Sequence, residues 1–322
     1  MVLVATISLT ALGCAGKAAE AEDAALRQPS QPSNEGDPVV PTALPDERGL
    51  LSGGYGHVCA VKADGSLACW GCYEEAPCKV PGGEFRAVAA GAFHTCALRV
   101  DGTVTCFGQP ISDVTSTAPA GIYRAISSGE HHSCVTREDG TVVCWGCNFG
   151  ARNCGTMPLE ENAKARPPVE VFESVSGGTN YACGKRSDGT VACWGSVPWM
   201  PGAGPAGEAF SFFDAGSTLA CGLSASGAVR CWGWGWAEGS APPSDAFRFV
   251  TSAGDTLCGI RIDGTVRCLG SSEHGRLTPP TGPFRILATG GDHACGARDD
   301  GTVLCWGNPR VAAPDGLRIR IP

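Results

Sequence analysis

Seven pairs of cysteines, each pair ten residues apart, recur along the chain and limit its fold more than any other feature. The pairs are Cys59 and Cys69, Cys96 and Cys106, Cys134 and Cys144, Cys183 and Cys193, Cys221 and Cys231, Cys258 and Cys268, and Cys295 and Cys305. First cysteines follow each other at 37, 38, 49, 38, 37 and 37 residues, a period that signals solenoids, propellers or arrays built from one repeated unit. The one long interval holds an insertion with Glu160, Glu161, Asn162, Lys164, Pro167 and Pro168, the composition of a polar loop.

Inside each unit a glycine sits six residues after the first cysteine: Gly65, Gly102, Gly140, Gly189, Gly227, Gly264 and Gly301. It usually follows Asp and precedes Thr or Ser. Pairing Cys96 with Cys106 centres a three-residue turn on Val100-Asp101-Gly102, with the glycine in the left-handed position that closes a hairpin with a bulge. The same register puts the two cysteines directly opposite each other, and Leu98 and Val104 on the same face. A cross-strand disulfide in every unit is the expectation. A further strand signal precedes the hairpins at Phe85-Arg86-Ala87-Val88, Tyr123-Arg124-Ala125-Ile126, Phe172-Glu173-Ser174-Val175, Phe247-Arg248-Phe249-Val250 and Phe284-Arg285-Ile286-Leu287. After each hairpin, Trp-Gly (with Phe107 and Leu269 replacing Trp) leads into a Pro/Gly-rich stretch with room for a short outer strand. Three to four strands per unit, seven times, without helical periodicity, predict an all-β, seven-bladed β-propeller with intra-blade disulfides. A β-solenoid is the competitor, but it needs no hairpin in every unit. The C-terminal Gly316-Leu317-Arg318-Ile319-Arg320-Ile321 copies the pre-hairpin strand with no hairpin after it. It is expected to close the ring against blade one, where Arg48-Gly49-Leu50-Leu51 is a poor version of that strand.

Composition agrees with a β-rich repeat: 46 Gly in 322 residues, 17% charged and 7% aromatic, far from the charge of a disordered chain. Of the net charge of -8, most belongs to residues 1–47, where Glu20, Glu22, Asp23, Glu35, Asp37, Asp46 and Glu47 face only Lys17 and Arg27. No basic cluster exists to bind nucleic acid.

Residues 1–13 contain an uncharged apolar run, Val2 to Gly13, too short to span a bilayer and the right length for a signal-peptide core. Leu12-Gly13-Cys14-Ala15 resembles the lipobox of bacterial lipoproteins, which implies that Cys14 carries lipid. Ala11 stands where that motif usually has Leu, and no Lys or Arg precedes the run. Residues 14–47 form the expected linker, broken by Pro29, Pro32, Pro38, Pro41 and Pro45, and as a flexible coil it reaches roughly 30 Å. The propeller is assigned to residues 48–322. The reading places the protein at a bacterial cell envelope, lipid-anchored or secreted.

The unit Gly91-Ala92-Phe93-His94-Thr95-Cys96-Ala97-Leu98, then Asp101-Gly102, then Val104-Thr105-Cys106-Phe107-Gly108 resembles the repeat of the regulator of chromosome condensation (RCC1) family of seven-bladed propellers. The resemblance extends over about 48–322. His recurs as His57, His94, His132 and His293, and Tyr181, Leu219 and Thr256 replace it in units four to six. Paired cysteines at both hairpin positions depart from the eukaryotic pattern and fit an exported version. The family's nucleotide-exchange activity on a small GTPase and its histone contacts map to loops that do not align residue by residue, and neither is carried over.

Four further cysteines, Cys72 and Cys78 after unit one and Cys147 and Cys154 after unit three, follow a Trp-Gly and read as two loop disulfides. Eighteen cysteines then pair off, with Cys14 as the nineteenth. Nine disulfides belong outside the cytoplasm. Cys69-Trp70-Gly71-Cys72 and Cys144-Trp145-Gly146-Cys147 also match redox and zinc spacing, and the histidines of units seven, one, two and three are contiguous in a closed ring, so a metal or dithiol site stays open as the alternative. No phosphate loop or zinc-protease motif occurs, and neither catalytic residues nor a cofactor are expected. Where the units differ, after Trp-Gly, lie Tyr73, Phe149, Trp199, Trp234 and Trp236, aromatics suited to anchoring a protein partner on one loop face. The expected function is a monomeric, extracytoplasmic binding or scaffold module tethered to a membrane by its lipid. Alternatives are an enzyme inhibitor, by resemblance to secreted bacterial propellers that inhibit β-lactamases, and a hydrolase or lyase using the central cavity.

Overall fold

The computed structural model describes residues 49–72, 78–108, 118–146, 166–195, 205, 207–233, 244–270 and 273–322. They form seven three-stranded antiparallel sheets, each in sequence order. In blade two, Phe85–Ala90 pairs with His94–Arg99, which pairs with Val104–Gly108. The other six blades repeat this plan. The first strand of each blade is innermost: its end lines a shared central cavity of about 190 Å³. Each inner strand packs on that of the next blade, and the inner strand of blade seven (Ile286–Thr289) packs on that of blade one (Leu51–Gly53), closing the ring.

Each hairpin has the expected register. Cys96 lies opposite Cys106, and so on in all seven blades. In blade two Arg99 N donates to Thr103 O, so three residues further along the ladder the cysteines form a non-hydrogen-bonded pair, the closer kind. The seven hairpin disulfides have Cα atoms 4.0–4.1 Å apart. At the turn, Gly102 has φ +85°, and Asp101 Oδ1 accepts from Thr103 N and Oγ1 at 2.9 and 2.7 Å. The Asp-Gly-Thr signature is thus turn chemistry.

Blades are joined by a recurring bond from the aromatic that opens each inner strand. Phe85 N donates to Gly65 O, Tyr123 N to Gly102 O, Phe172 N to Gly140 O, and likewise Phe210, Phe247 and Phe284. These aromatics are buried. In blade one that place is taken by the other end of the chain. Ile319 N donates to Gly301 O at 3.0 Å, Arg320 N donates to Val61 O at 3.0 Å, and Ile319 bridges Lys62. The C-terminal segment thereby supplies what Arg48-Gly49-Leu50-Leu51 lacks.

Among the described residues each sheet has three strands, the lower of the two numbers expected. After blades six and seven the chain makes short 3-10 turns, Glu273–Gly275 and Pro309–Val311. Pro309 cannot donate to a ladder, and the Asn308 side chain caps the turn by accepting from Arg310 N.

Candidate functional site

The site is built from the turns between inner and middle strands, which ring the mouth of the central cavity. One tier inside the mouth, the residues paired with the first cysteine of each hairpin are Ser52, Ala89, Ser127, Ser176, Asp214, Thr251 and Ala288. The polar ones among them clasp the next blade. Ser52 Oγ accepts from Ala90 N, Ser127 Oγ from Gly177 N and Ser176 Oγ from Ala215 N, each at 3.0 Å. Asp214 does the same job with a carboxylate: Oδ2 accepts from Ser252 N at 2.7 Å and Ser252 Oγ at 3.3 Å, while Oδ1 accepts from Ser176 Oγ at 3.0 Å. Glu130 and Asp214 are the charged residues among those lining the cavity.

The recurring histidines open the middle strands just beneath the mouth and are buried. His57 Nε2 is hydrogen-bonded to Thr95 Oγ1 and His94 Nε2 to Ser133 Oγ, both at 2.9 Å and both across a blade boundary. In blade four Tyr181 OH donates to Gly216 O of blade five at 3.0 Å. Burial, reinforced by neighbouring histidines, lowers His57 and His94 to about 4 and His132 to about 3, so all three are neutral at pH 7. A histidine beside a hydroxyl has the components of a hydrolytic pair, and here both members are buried between blades. Among the described residues no group of three or more His, Cys, Asp or Glu side chains comes together to hold a metal. Cys69 is bonded to Cys59 and Cys72 to Cys78, so the Cys-x-x-Cys of unit one is split between two disulfides rather than forming a dithiol.

On the mouth face itself, blades one to three carry a run of aromatic side chains. Tyr55 is 62% exposed and Phe93 41%. Their ring centroids are 6.5 Å apart, and Phe93 stacks on His131 at 6.2 Å and 12°. His131 Nε2 lies 3.4 Å from Glu130 Oε1, and this contact, first among several, holds the Glu130 carboxyl below its usual range.

All five aromatics expected from sequence to bind, Tyr73, Phe149, Trp199, Trp234 and Trp236, lie outside the described residues, as do Cys14, Cys147 and Cys154. The described chain stops short of them at Cys72, Gly146, Gly195 and Gly233. Three of these, Gly146, Gly195 and Gly233, pair with the first residue of a middle strand, at the mouth face. Sequence reasoning passed over Tyr55, Phe93, Glu130, His131 and Asp214. For Tyr55, Glu130 and Asp214 the signal was present in the repeat alignment, as bulky or charged residues at positions where other units have Gly, Ser, Thr or Ala, whereas Phe93 and His131 share a position filled elsewhere by Gly56, Asn180, Thr218, Asp255 and Asp292.

The match to known proteins follows this geometry. Residues 85–110, 123–155 and 284–310 match the regulator of chromosome condensation (RCC1) repeat. The protein carries RCC1 repeats. Among solved structures, the CRINKLY WD40 ectodomain of the Arabidopsis thaliana receptor kinase ACR4 is similar over 85% of this chain and 98% of its own, with 26% identity and a TM-score of 0.65. The ectodomain of the Physcomitrella patens receptor kinase CR4 is similar at 24% identity and a TM-score of 0.64, over 80% of this chain and 72% of its own. Prp20p of Saccharomyces cerevisiae shares the fold at 14% identity and a TM-score of 0.57, over 69% and 71% of the two chains. Comparison with curated protein sequences gives no match. The disulfides of the ring fit an oxidising setting. No helix among the described residues is long and apolar enough to cross a membrane.

Proposed function

We propose that the protein is an extracytoplasmic protein-binding module that presents the mouth face of its ring to a partner. The observation that carries this reading is the aromatic run of the exposed Tyr55 and Phe93 and the half-buried His131 on three adjacent blades. Aromatic side chains held on a rigid scaffold lose little conformational freedom on binding and are enriched where interfaces concentrate their energy. The similar receptor-kinase ectodomain works outside the cell by its name, and Prp20p has binding properties toward Gsp1p and histones. The first supports an extracellular setting, and the second is a propeller of the same fold that binds proteins.

In the fuller reading, residues 1–13 direct export, Cys14 carries a lipid, residues 14–47 are the tether, and the ring stands off a bacterial membrane as a monomer. Tyr73, Phe149, Trp199, Trp234 and Trp236 are further partner-binding aromatics in this reading. A binding role is favoured over catalysis because the hydroxyls and Asp214 of the cavity wall serve as clasps between blades.

A photo-crosslinking amino acid placed at Phe93, or at Ile262 in a hairpin turn of the opposite face, tests the reading in the native source. Crosslinks to a partner from position 93 and none from 262 are expected. A partner crosslinked from 262 alone, or from neither, contradicts it.

A further inference from the structure

We propose that the mouth receives a basic side chain, a lysine or arginine of the partner, which passes the aromatic run and is neutralised by Glu130 and Asp214. This rests on the mouth face being the binding face, and goes on to name the chemistry of what binds there.

Asp214 carries a charge that the clasp between blades does not require. The clasp between blades works with a hydroxyl in Ser52, Ser127 and Ser176. Only blade five uses a carboxylate. The donors to Asp214 are the neutral Ser176 Oγ, Ser252 N and Ser252 Oγ, and among the described residues it forms no ion pair. A half-buried anion without a counter-charge is a standing cost that a hydroxyl would avoid. Glu130 adds a second negative charge to the lining, and among the described residues no Lys or Arg lines the cavity. On the rim of blades six and seven, Asp255 and Asp292 are acidic as well, and Arg276 is held by Asp255 at 3.3 Å and Gly291 O at 2.8 Å.

Size selects the form of the cation. A cavity of about 190 Å³ falls below the roughly 300–1,000 Å³ of small-molecule sites, and suits one inserted side chain. Lysine and arginine are the cations whose long apolar stems can lie along Tyr55 and Phe93 while the charged head reaches inward. The ring faces of Tyr55 and Phe93 attract that cation on the way.

The test uses the full chain and a phage-displayed library of random dodecapeptides as the probe. Binders selected on the wild-type protein are expected to share a Lys or Arg. Replacing that residue by norleucine, or introducing D214S or E130Q in the protein, should each weaken binding at least tenfold, and combining norleucine with D214S should cost little more than either alone. D214S keeps the clasp used in blades three and four, and an unchanged melting temperature shows that it folds. Binders that lack a base, or that hold D214S and E130Q as tightly as wild type, overturn this inference. If such binders still lose affinity to Y55A or F93A, the mouth face stands as the binding face without a basic ligand. Selected peptides that are indifferent to Y55A and F93A, or no binders at all, overturn both.

Discussion

At the scale of single residues, the ring is held by small contacts with little room to vary. A Cβ on Gly129 would lie 2.1 Å from Gly178 O and 2.2 Å from His132 Cε1, so the glycine three residues before the recurring histidine is required by the ring that packs over it. Gly129→Ala should cost about 2–3 kcal/mol in a denaturant melt, whereas Ser127→Ala, which removes one clasp bond, should cost about 1 kcal/mol. The histidines predict the pH response. His57, His94 and His132 titrate at about 4, 4 and 3 in the folded chain against about 6.5 unfolded. The unfolded state therefore binds more protons between those values, and stability is complete above pH 6.5 and declines as pH falls toward 4. Each histidine contributes a slope of about 1.4 kcal/mol per pH unit within that window. Thermal melts at pH 7, 5.5 and 4.5 should show a progressive fall. The hairpin aspartates, lowered by their Thr and Ser partners, add their loss only below that range. The histidines were legible in the sequence as a recurring position, but their hydroxyl partners Thr95 and Ser133 were not, because each belongs to the next unit and meets its histidine only once the ring exists.

At the scale of elements, the hairpin is the unit that the sequence specifies best. Cysteine spacing, the Asp-Gly turn and strand alternation all agree on one register, and the structure adopts it in all seven blades. Each staple closes about eleven residues, and replacing Cys96 and Cys106 together by Ala should lower stability by about 2.5–3 kcal/mol. The closing segment was legible too, since Arg318-Ile319-Arg320 repeats the opening of an inner strand. Ile319 is buried, and Ile319→Ala should cost about 2–5 kcal/mol. Deleting residues 314–322 removes both of its backbone bonds as well, so a melting temperature unchanged by that deletion would contradict closure by the C-terminus. The sequence left three or four strands open, because a Pro/Gly-rich stretch after Trp-Gly fits an edge strand and a capped turn equally well, and after blade seven Asn308-Pro309 settles for the turn. In blade five, the Phe210-Ser211-Phe212-Phe213 strand lacks the arginine that marks several of its sisters.

At the scale of the whole molecule, a ring of equivalent blades gives function to whatever breaks the equivalence on one face. Tyr55, Phe93 and His131 lie side by side only because units one, two and three are neighbours, and Asp214 enters the same cavity from blade five because every inner strand points there. Periodicity predicts that such a convergence exists. It does not reveal which side chains remain exposed after the blades have packed. The compartment decides which partners this face can meet, and it rests on the disulfides. The most direct measurement is therefore peptide mapping by mass spectrometry, under non-reducing conditions, of protein isolated from its native source. Seven hairpin links, each joining cysteines ten residues apart, are expected, together with Cys72 joined to Cys78. Free thiols at these positions, or links between blades, would contradict an oxidised propeller built outside the cytoplasm and with it the proposed binding role there.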